Sequence, residues 1–215
     1  MKDLAIFGAG GFGREVVGLI NRINNSGGEW NFIGFFDDTK QEGEPISHFG
    51  KVLGNTDALN NWPTPINIVI AVGAPNSLFL IRNKITNPNV AFPNLIDPDF
   101  YISDLKTFSI GEGNIIQKGC VGSVNITIGN FNVLNGSVAM GHDDKIGDFN
   151  VIMPGVKISG GVQIGDKNLI GVGSIIIQNI KIGSRITLGA GAVLLTRPYD
   201  GNTYLGNPAV KFKFK

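Results

Sequence analysis

The sequence has few charged residues and very little glutamate. Charged side chains make up 16% of the 215 residues, and none of the five glutamates lies beyond Glu112. An average soluble chain is about 25% charged. This composition argues against a long-helix bundle or a coiled coil, because both need extended charged faces.

Cysteine and long apolar runs are also scarce. The single cysteine, Cys120, excludes an internal disulfide framework and a cysteine-cluster metal site, and we expect it to be buried and structural. No apolar run approaches the ~20 residues that span a bilayer, and from the first residues we expect no secretory signal. The formal charge of +1 gives no electrostatic reason to expect nucleic acid or a membrane as partner. We therefore expect a cytoplasmic protein.

Glycine, in contrast, is abundant at 31 residues, and the second half of the chain is a repeat. Every sixth residue from Ile110 to Leu194 is large and apolar, with Gly122 as the single exception. The pair Ile-Gly also recurs every 18 residues, starting at positions 110, 128, 146, 164 and 182. Three hexapeptides make one coil of a triangular prism, with short parallel strands as sides and Gly or Asn turns as corners. A β-sandwich, the alternative, would show a period of two.

The first half is typical of a small α/β unit. A buried strand is predicted from Leu4 to Phe7, followed by a glycine-rich turn and an amphipathic helix with apolar residues at 16, 19, 20 and 23. Further strands are predicted over 32–36 and 66–72, and a second helix over 78–85. We expect a domain boundary near residue 98, which gives an α/β domain over 1–98 and a β-helix domain with a C-terminal tail over 99–215.

The glycine-rich turn indicates a ligand site. Gly8, Gly10 and Gly13 fit the pattern G-x-G-x-x-G, which brings backbone N–H groups close to a phosphate or polar ligand at a helix N-terminus. A nicotinamide cofactor would place Asp37 on a ribose hydroxyl. However, three predicted strands make only half of a dinucleotide fold, which argues against hydride transfer. A purely structural tight turn is the remaining alternative.

The chain has two histidines. His48 lies in a loop, where we expect an ordinary surface side chain. His142 occupies a corner of the predicted prism, where its ring would project beside Asp143. Because a neighbouring carboxylate orients the ring and stabilises its protonated form, the pair fits a general base, although an exposed turn histidine is the alternative. Two histidines cannot build the three-histidine zinc site of prism-shaped carbonic anhydrases, and we expect no metal.

Several motifs in a fixed order resemble a family. They are Gly-Ala-Gly-Gly-Phe-Gly at the start, Phe36-Asp37-Asp38, Ala71-Val72-Gly73, Gly141-His142-Asp143 and Gly206-Asn207-Pro208-Ala209. Together they resemble the bacterial hexapeptide-repeat sugar acyltransferases, which include nucleotide-linked amino-sugar N-acetyltransferases and sialic acid O-acetyltransferase relatives. The resemblance implies a Rossmann-like half-domain followed by a left-handed parallel β-helix of hexapeptide repeats.

The resemblance also implies an activity and its residues. The expected reaction is transfer of an acetyl group from acetyl-CoA to the amino group of a nucleotide-activated sugar. His142 would be the general base, Asp143 would raise its basicity, and Asn135 would lie near the reacting centre. The nucleotide-sugar would be held by Gly10, Gly11, Asp37, Asp38 and Gly73.

Coenzyme A is expected to lie along the prism. The resemblance places its backbone contacts at Gly160, Val172 and Ala190. Lys211, Lys213 and Lys215 could neutralise its phosphates, with a solvated tail as the alternative.

Two positions depart from the family pattern. Phe12 stands in the glycine turn and Val151 stands in the prism where many relatives carry histidine. The first affects which sugar acceptor is bound, and the second affects one contact with acetyl-CoA.

The resemblance further implies a homotrimer in which His142 faces the groove toward an adjacent subunit. The sequence leaves two alternatives to the N-acetyltransferase open. One is an O-acetyltransferase acting on a sugar hydroxyl, as in sialic acid O-acetylation. The other is a non-catalytic nucleotide-binding trimeric scaffold.

Overall fold

A computed structural model describes residues 1–212 of the chain. The chain divides into two compact units, Met1–Pro98 and Asp99–Lys215. Across the described residues, every helix is too short or too polar to cross a membrane.

The first unit is built on a parallel sheet with the strand order β3-β2-β1-β4-β5. Short 3-10 turns lie at Ser47–Phe49 and, in the second unit, at Leu105–Thr107. The elements of the first unit in chain order are β1 (Lys2–Phe7), α1 (Gly11–Asn25), β2 (Trp30–Phe36), β3 (Val52–Gly54), α2 (Thr56–Asn60), β4 (Ile66–Ile70), α3 (Pro75–Lys84), β5 (Val90–Ala91) and β6 (Leu95–Ile96).

The amphipathic helix forms as the apolar spacing predicts. Val16, Leu19 and Ile20 of α1 are buried, and Ile23 is half-buried. The helix begins at Gly11, inside the glycine-rich turn, so that Gly10 becomes its N-cap residue. Strands β3 and β5 and helix α2 are absent from the prediction, because segments of two to five residues are too short to show a period.

The second unit is a left-handed parallel β-helix, as predicted. Its strands in chain order are β7 (Tyr101–Ile102), β8 (Ser109–Ile110), β9 (Ile115–Ile116), β10 (Val121–Gly122), β11 (Thr127–Ile128), β12 (Val133–Leu134), β13 (Ala139–Met140), β14 (Lys145–Ile146), β15 (Val151–Ile152), β16 (Lys157–Ile158), β17 (Gln163–Ile164), β18 (Leu169–Ile170), β19 (Ile175–Ile176), β20 (Lys181–Ile182), β21 (Thr187–Leu188), β22 (Val193–Leu194), β23 (Thr203–Leu205) and β24 (Val210–Lys211).

These strands form the three faces of a prism. The first face is β7-β10-β13-β16-β19-β22, the second is β8-β11-β14-β17-β20, and the third runs from β9 through β12, β15, β18, β21 and β23 to β24. Most coils pair with the next at an offset of 18 residues, as in the pairing of Met140 with Ile158. The offset is 20 residues between Tyr101 and Val121 at the start of the prism and 16 between Thr187 and Thr203 at its end. The residues at every sixth position from Ile116 to Leu194 are buried, Gly122 included, while Ile110 at the open end is half-buried.

The corners follow the same period. From Gly113 to Gly191, every sixth residue has a positive φ. Glycine fills six of these fourteen positions, since it adopts this conformation most easily. The other eight are Asn125, Phe131, Ser137, Asp143, Phe149, Lys167, Asn179 and Arg185. At the corner between the second and third faces, four buried asparagines stack one coil apart, namely Asn114, Asn132, Asn150 and Asn168. We call this set the asparagine ladder. Each member accepts a hydrogen bond from the backbone N–H of the residue 18 positions later.

Candidate functional site

The glycine-rich turn of the first unit combines tight packing with open space. A Cβ atom on Gly13 would lie 2.0 Å from the carbonyl oxygen of Gly8, and one on Gly8, where φ is +111°, would lie 2.7 Å from the carbonyl oxygen of Ala71. Both positions therefore require glycine for folding. Gly10 and Gly73, in contrast, would place a Cβ atom in open space. The backbone at these two predicted substrate residues is accessible to a ligand at the carboxyl ends of β1 and β4.

Asp37 is hydrogen-bonded to this turn. Its Oδ2 accepts a hydrogen bond from the backbone N–H of Ala9 at 2.8 Å, and its Oδ1 accepts bonds from the N–H and hydroxyl of Thr39. Burial raises the pKa of the Asp37 carboxyl, but the bonds from Thr39 and Ala9 outweigh it and hold the pKa below its usual value. Asp37 is therefore ionised at neutral pH and ties β2 to the glycine turn.

Asp38, the next predicted substrate residue, lines a cavity of about 390 Å³. Its Oδ1 accepts hydrogen bonds from the N–H and hydroxyl of Thr56, and its Oδ2 lies 3.7 Å from the ammonium of Lys84. The other lining residues are Asn55, Asp57 and Asn60. The cavity thus offers a cation, carboxylates and amides to a polar ligand.

In the second unit, His142 and Asp143 form an exposed pair at the corner after β13. Nδ1 of His142 lies 2.7 Å from Oδ2 of Asp143, and the two side chains are 65% and 55% exposed. Asn125, one coil earlier, donates a hydrogen bond from Nδ2 to Oδ1 of Asp143 at 2.8 Å. The bonds from His142 and then from Asn125 hold the pKa of the Asp143 carboxyl below its usual value. The carboxylate therefore occupies Nδ1 and leaves Nε2 as the ring nitrogen that can accept a proton.

Gly160, predicted to contact coenzyme A, stacks one coil after His142. A Cβ atom on Gly160 would lie 2.5 Å from Nε2 of His142 and 2.7 Å from two ring carbons. A Cβ atom on Gly141 would in turn lie 2.4 Å from the backbone nitrogen of Gly160. Because Gly141 and Gly160 have no Cβ atom, the imidazole can pack directly against the backbone of Gly160. The ring is therefore held by Asp143 on one side and by Gly160 on the other.

The remaining predicted site residues lie at the corner before the first face. Asn135 precedes β13, whereas His142 follows it, so the two occupy different corners within one chain. Asn135 is half-buried, and its Nδ2 donates to the carbonyl oxygen of Ile152 at 3.1 Å. Val172 and Ala190 stack one coil apart at this same corner and are both exposed.

The single cysteine, the other histidine and the two residues that depart from the family pattern differ in burial. Cys120 is buried, with Sγ 3.1 Å from the carbonyl oxygen of Asn135. His48 is an exposed side chain stacked on Phe49. Val151 is fully buried, and Phe12 is half-buried. Lys213 and Lys215 lie outside the described residues, which in turn contain no group of three or more His, Cys, Asp or Glu side chains placed to hold a metal ion.

Sequence reasoning missed two polar residues beside His142. Asn125 holds the far oxygen of Asp143, and Asp144 is a buried carboxyl next in the chain. The signal for both was the offset of 18 residues, which stacks position 125 beneath 143 and aligns 144 with Ile126 and Val162.

Comparison with known proteins gives a family match in the first unit and solved structures across the whole chain. The family described as the PglD N-terminal domain matches residues 3–87. The acetyltransferase domain of PglB from Neisseria gonorrhoeae, solved in complex with acetyl coenzyme A, is 31% identical. It aligns with 98% of this chain and 99% of its own, at a TM-score of 0.84. The chain belongs to the hexapeptide-repeat sugar acyltransferase family.

Two further structures show the same architecture as this acyltransferase. WeeI from Acinetobacter baumannii is 26% identical, with 99% of this chain and 100% of that chain covered and a TM-score of 0.82. A perosamine N-acetyltransferase mutant from Caulobacter crescentus, in complex with CoA and GDP-perosamine, is 21% identical. It covers 100% of this chain and 98% of its own at a TM-score of 0.85 and supports the fold alone. None of the curated protein sequences matches the chain.

Proposed function

We propose that this acyltransferase moves an acetyl group from acetyl-CoA to the amino group of a nucleotide-activated sugar. The observation that carries the proposal is the exposed His142–Asp143 pair, with Nδ1 and Oδ2 2.7 Å apart, on the prism of a sugar acyltransferase. Binding of acetyl coenzyme A by the PglB domain, which is 31% identical, supports acetyl-CoA as the donor.

In the proposed reaction, His142 is the general base. The sugar amine attacks the thioester carbonyl carbon, and Nε2 of His142 takes the proton that the amine loses. The carbon–sulfur bond then breaks, and the coenzyme A thiolate leaves and takes up the proton from the His142 imidazolium, which restores the base. Asp143 stabilises the imidazolium that forms in this step, since its carboxylate is bonded to Nδ1. No covalent enzyme intermediate is required.

The nucleotide-sugar is proposed to bind at the edge of the first unit. The open backbone at Gly10 and Gly73 and the polar cavity beside Asp38 support this placement, with Gly11 and Asp37 completing the turn. Coenzyme A is proposed to follow the prism past Gly160, Val172 and Ala190. The exposure of Val172 and Ala190 supports that path, and Asn135 is proposed to lie near the reacting centre.

We also propose a homotrimer, as expected from the resemblance. The first face of the prism supports it, because five of its six outward side chains are apolar, with Lys157 as the exception, and three of the five are exposed. Val121 and Ile175 are each 40% exposed there. The outward side chains of the second face, by contrast, are polar: Ser109, Thr127, Lys145, Gln163 and Lys181. The cytoplasmic location expected from the sequence stays a prediction.

The proposed reaction is tested by incubating the protein with acetyl-CoA and a panel of UDP-, GDP- and CMP-linked sugars. With an amino-sugar nucleotide, the reaction should release the free thiol of coenzyme A. Mass spectrometry should show that the sugar nucleotide has gained one acetyl group. Acetylation of a hydroxyl group instead would contradict transfer to an amine. Binding of nucleotide-sugars with no acetyl transfer across the panel would favour a scaffold over an enzyme.

A further inference from the structure

Asp144 occupies an unusual place in the prism. It directly follows the His142–Asp143 pair, and its side chain is fully buried. The offset of 18 residues between coils stacks it between Ile126 in the preceding coil and Val162 in the following one, both also fully buried. A carboxyl group therefore stands where the neighbouring coils have branched aliphatic side chains.

The two oxygens of Asp144 differ in their bonding. Oδ1 accepts a hydrogen bond from the backbone N–H of Val162 at 2.8 Å. Oδ2 is buried and has no hydrogen-bond partner of normal geometry among the described residues. Burying a polar atom without a partner is unfavourable, and more so when the group is charged.

The asparagine ladder shows what would satisfy such a corner. Asn132 also accepts a bond through Oδ1 from the next coil, but its Nδ2 donates to the carbonyl oxygen of Gly147. Asp144 repeats the first bond, whereas its ionised carboxylate has no proton for the second. For stability alone, asparagine would suit position 144 better than aspartate.

The charged groups around Asp144 lie on its own coil. They are His142, Asp143 and the exposed Lys145, while the stacked segments 123–128 and 159–164 contain no ionisable side chain. The inward residues of the other two faces nearby are apolar. The charge on Asp144 therefore acts mainly within the segment that carries the proposed base.

We propose that Asp144 is a positioning residue whose buried carboxylate, behind the His142–Asp143 pair, increases the basicity of the His142 imidazole by stabilising its protonated form. This inference rests on the proposed role of His142 as the general base. Asp143 acts on the ring through a direct hydrogen bond, whereas Asp144 acts on it through its charge from inside the prism.

The ionisation of Asp144 sets the pH range of the effect. Burial raises the pKa of its carboxyl to about 6, opposed by the N–H groups of Val162 and Gly141 and by the charge of His142. The carboxylate is thus mostly charged above pH 6, where its effect on His142 is present. Because the folded state holds this proton more tightly, the contribution of Asp144 to stability is present at low pH and is lost as the pH rises through about 6.

Two substitutions separate charge from packing. Asp144→Asn keeps the shape and the bond to Val162, whereas Asp144→Val matches the aliphatic neighbours, and both remove the charge. The His142 ring is followed by NMR titration, with its signals distinguished from those of His48 by a His48→Gln variant. We expect both variants to titrate at a lower pH by about 0.5, which is a factor of about three in proton affinity.

The kinetic and stability readouts should change together with the titration. The acidic limb of the kcat/KM profile should move to lower pH by the same amount. Its plateau should fall by less than about threefold, because only part of a change in basicity appears in the rate. At pH 7.5, Asp144→Asn should unfold at a higher temperature than the wild type.

Three results would overturn the inference. If the His142 titration is unchanged in both variants, Asp144 does not influence the ring, even if activity falls. A change in Asp144→Val alone would assign the effect to packing. An unfolding temperature of Asp144→Asn below that of the wild type at pH 7.5 would show that the carboxylate stabilises the fold. The His142→Ala variant separates failure of the proposed function from failure of this inference. If His142→Ala keeps full activity, His142 is not the general base, whatever the titration of the ring shows.

Discussion

At the scale of single residues, the site depends on how the His142 ring is held. Asp143 fixes one ring nitrogen through a hydrogen bond, and the bare backbone of Gly160 supports the ring from the next coil. Asp143 is itself held by Asn125, so the orientation of the ring depends on residues of three consecutive coils rather than on one exposed turn. A general base held in this way loses little freedom when substrate binds.

Gly160→Ala tests this support. The φ of Gly160 suits any residue, and the added Cβ atom would collide with the imidazole, which can turn away, so we expect the fold to survive. The displaced base should lower kcat about 10–100-fold. Steady-state kinetics and far-UV circular dichroism measure the two effects.

A matched control is Gly18→Ala on the exposed side of α1, where a Cβ atom meets nothing within 4 Å. It should leave kcat unchanged and stabilise the helix by about 0.5–1 kcal/mol. Wild-type kcat in Gly160→Ala would show that the ring is not held from the next coil.

Residue types alone predicted the His142–Asp143 pair but not its surroundings. A histidine followed by an acid at a corner indicates a proton acceptor at once. Asn125 and Asp144 lie 17 residues before and two residues after His142, and their relation to it depends on which side chain of each coil points outward or inward. That information is in the 18-residue offset and not in the local motif.

At the scale of elements, the prism is stabilised by repeated polar bonds as well as by its apolar interior. Each ladder asparagine donates to a carbonyl oxygen 15 residues later and accepts from the next coil. Buried amides that are fully bonded stabilise a fold, whereas removal of one leaves its partners unsatisfied.

Asn132→Ala should therefore destabilise the β-helix. The substitution leaves the N–H of Asn150 and the carbonyl oxygen of Gly147 without their bonds inside the prism. We expect the free energy of unfolding, measured by urea titration, to fall by about 3 kcal/mol.

The exposed Asn83→Ala, whose bond to Phe79 lies at the surface, is the control and should change the free energy by less than about 0.5 kcal/mol. Equal effects of the two substitutions would contradict a stabilising role for the ladder.

The elements differ in how well the sequence predicts them. The hexapeptide period predicts the β-helix, because each coil places an apolar residue at the same inward position. Each repeat therefore supports the strand register assigned to the coil before it. In the first unit, β1 and α1 follow from strong apolar patterns. Strands β3 and β5 are formed by two or three residues whose pairing with β2 and β4 depends on tertiary contacts.

At the scale of the whole molecule, the proposed trimer explains the apolar first face. A face with exposed Val121 and Ile175 is unfavourable in water and is favourable when a second copy covers it. A site between neighbours would also allow Asn135 and His142, which lie at different corners of one prism, to act together across an interface.

Ile175→Glu tests the assembly. A charge on this face in every copy should separate the subunits, so that the mass by light scattering falls from three times 22.9 kDa to 22.9 kDa. Activity should be lost with the trimer.

Gln163→Glu on the polar second face adds the same charge and should leave the mass unchanged. A monomeric wild-type protein, or a trimeric Ile175→Glu variant, would contradict the proposed interface.

The turnover of His142→Ala with saturating acetyl-CoA and an amino-sugar nucleotide tests whether His142 accepts the amine proton. Without the side chain that takes up the amine proton, kcat should fall by about 10²–10⁴. Mass and circular dichroism should match the wild type, because the side chain is mostly exposed. Turnover at the wild-type rate would show that this imidazole does not perform the proton transfer.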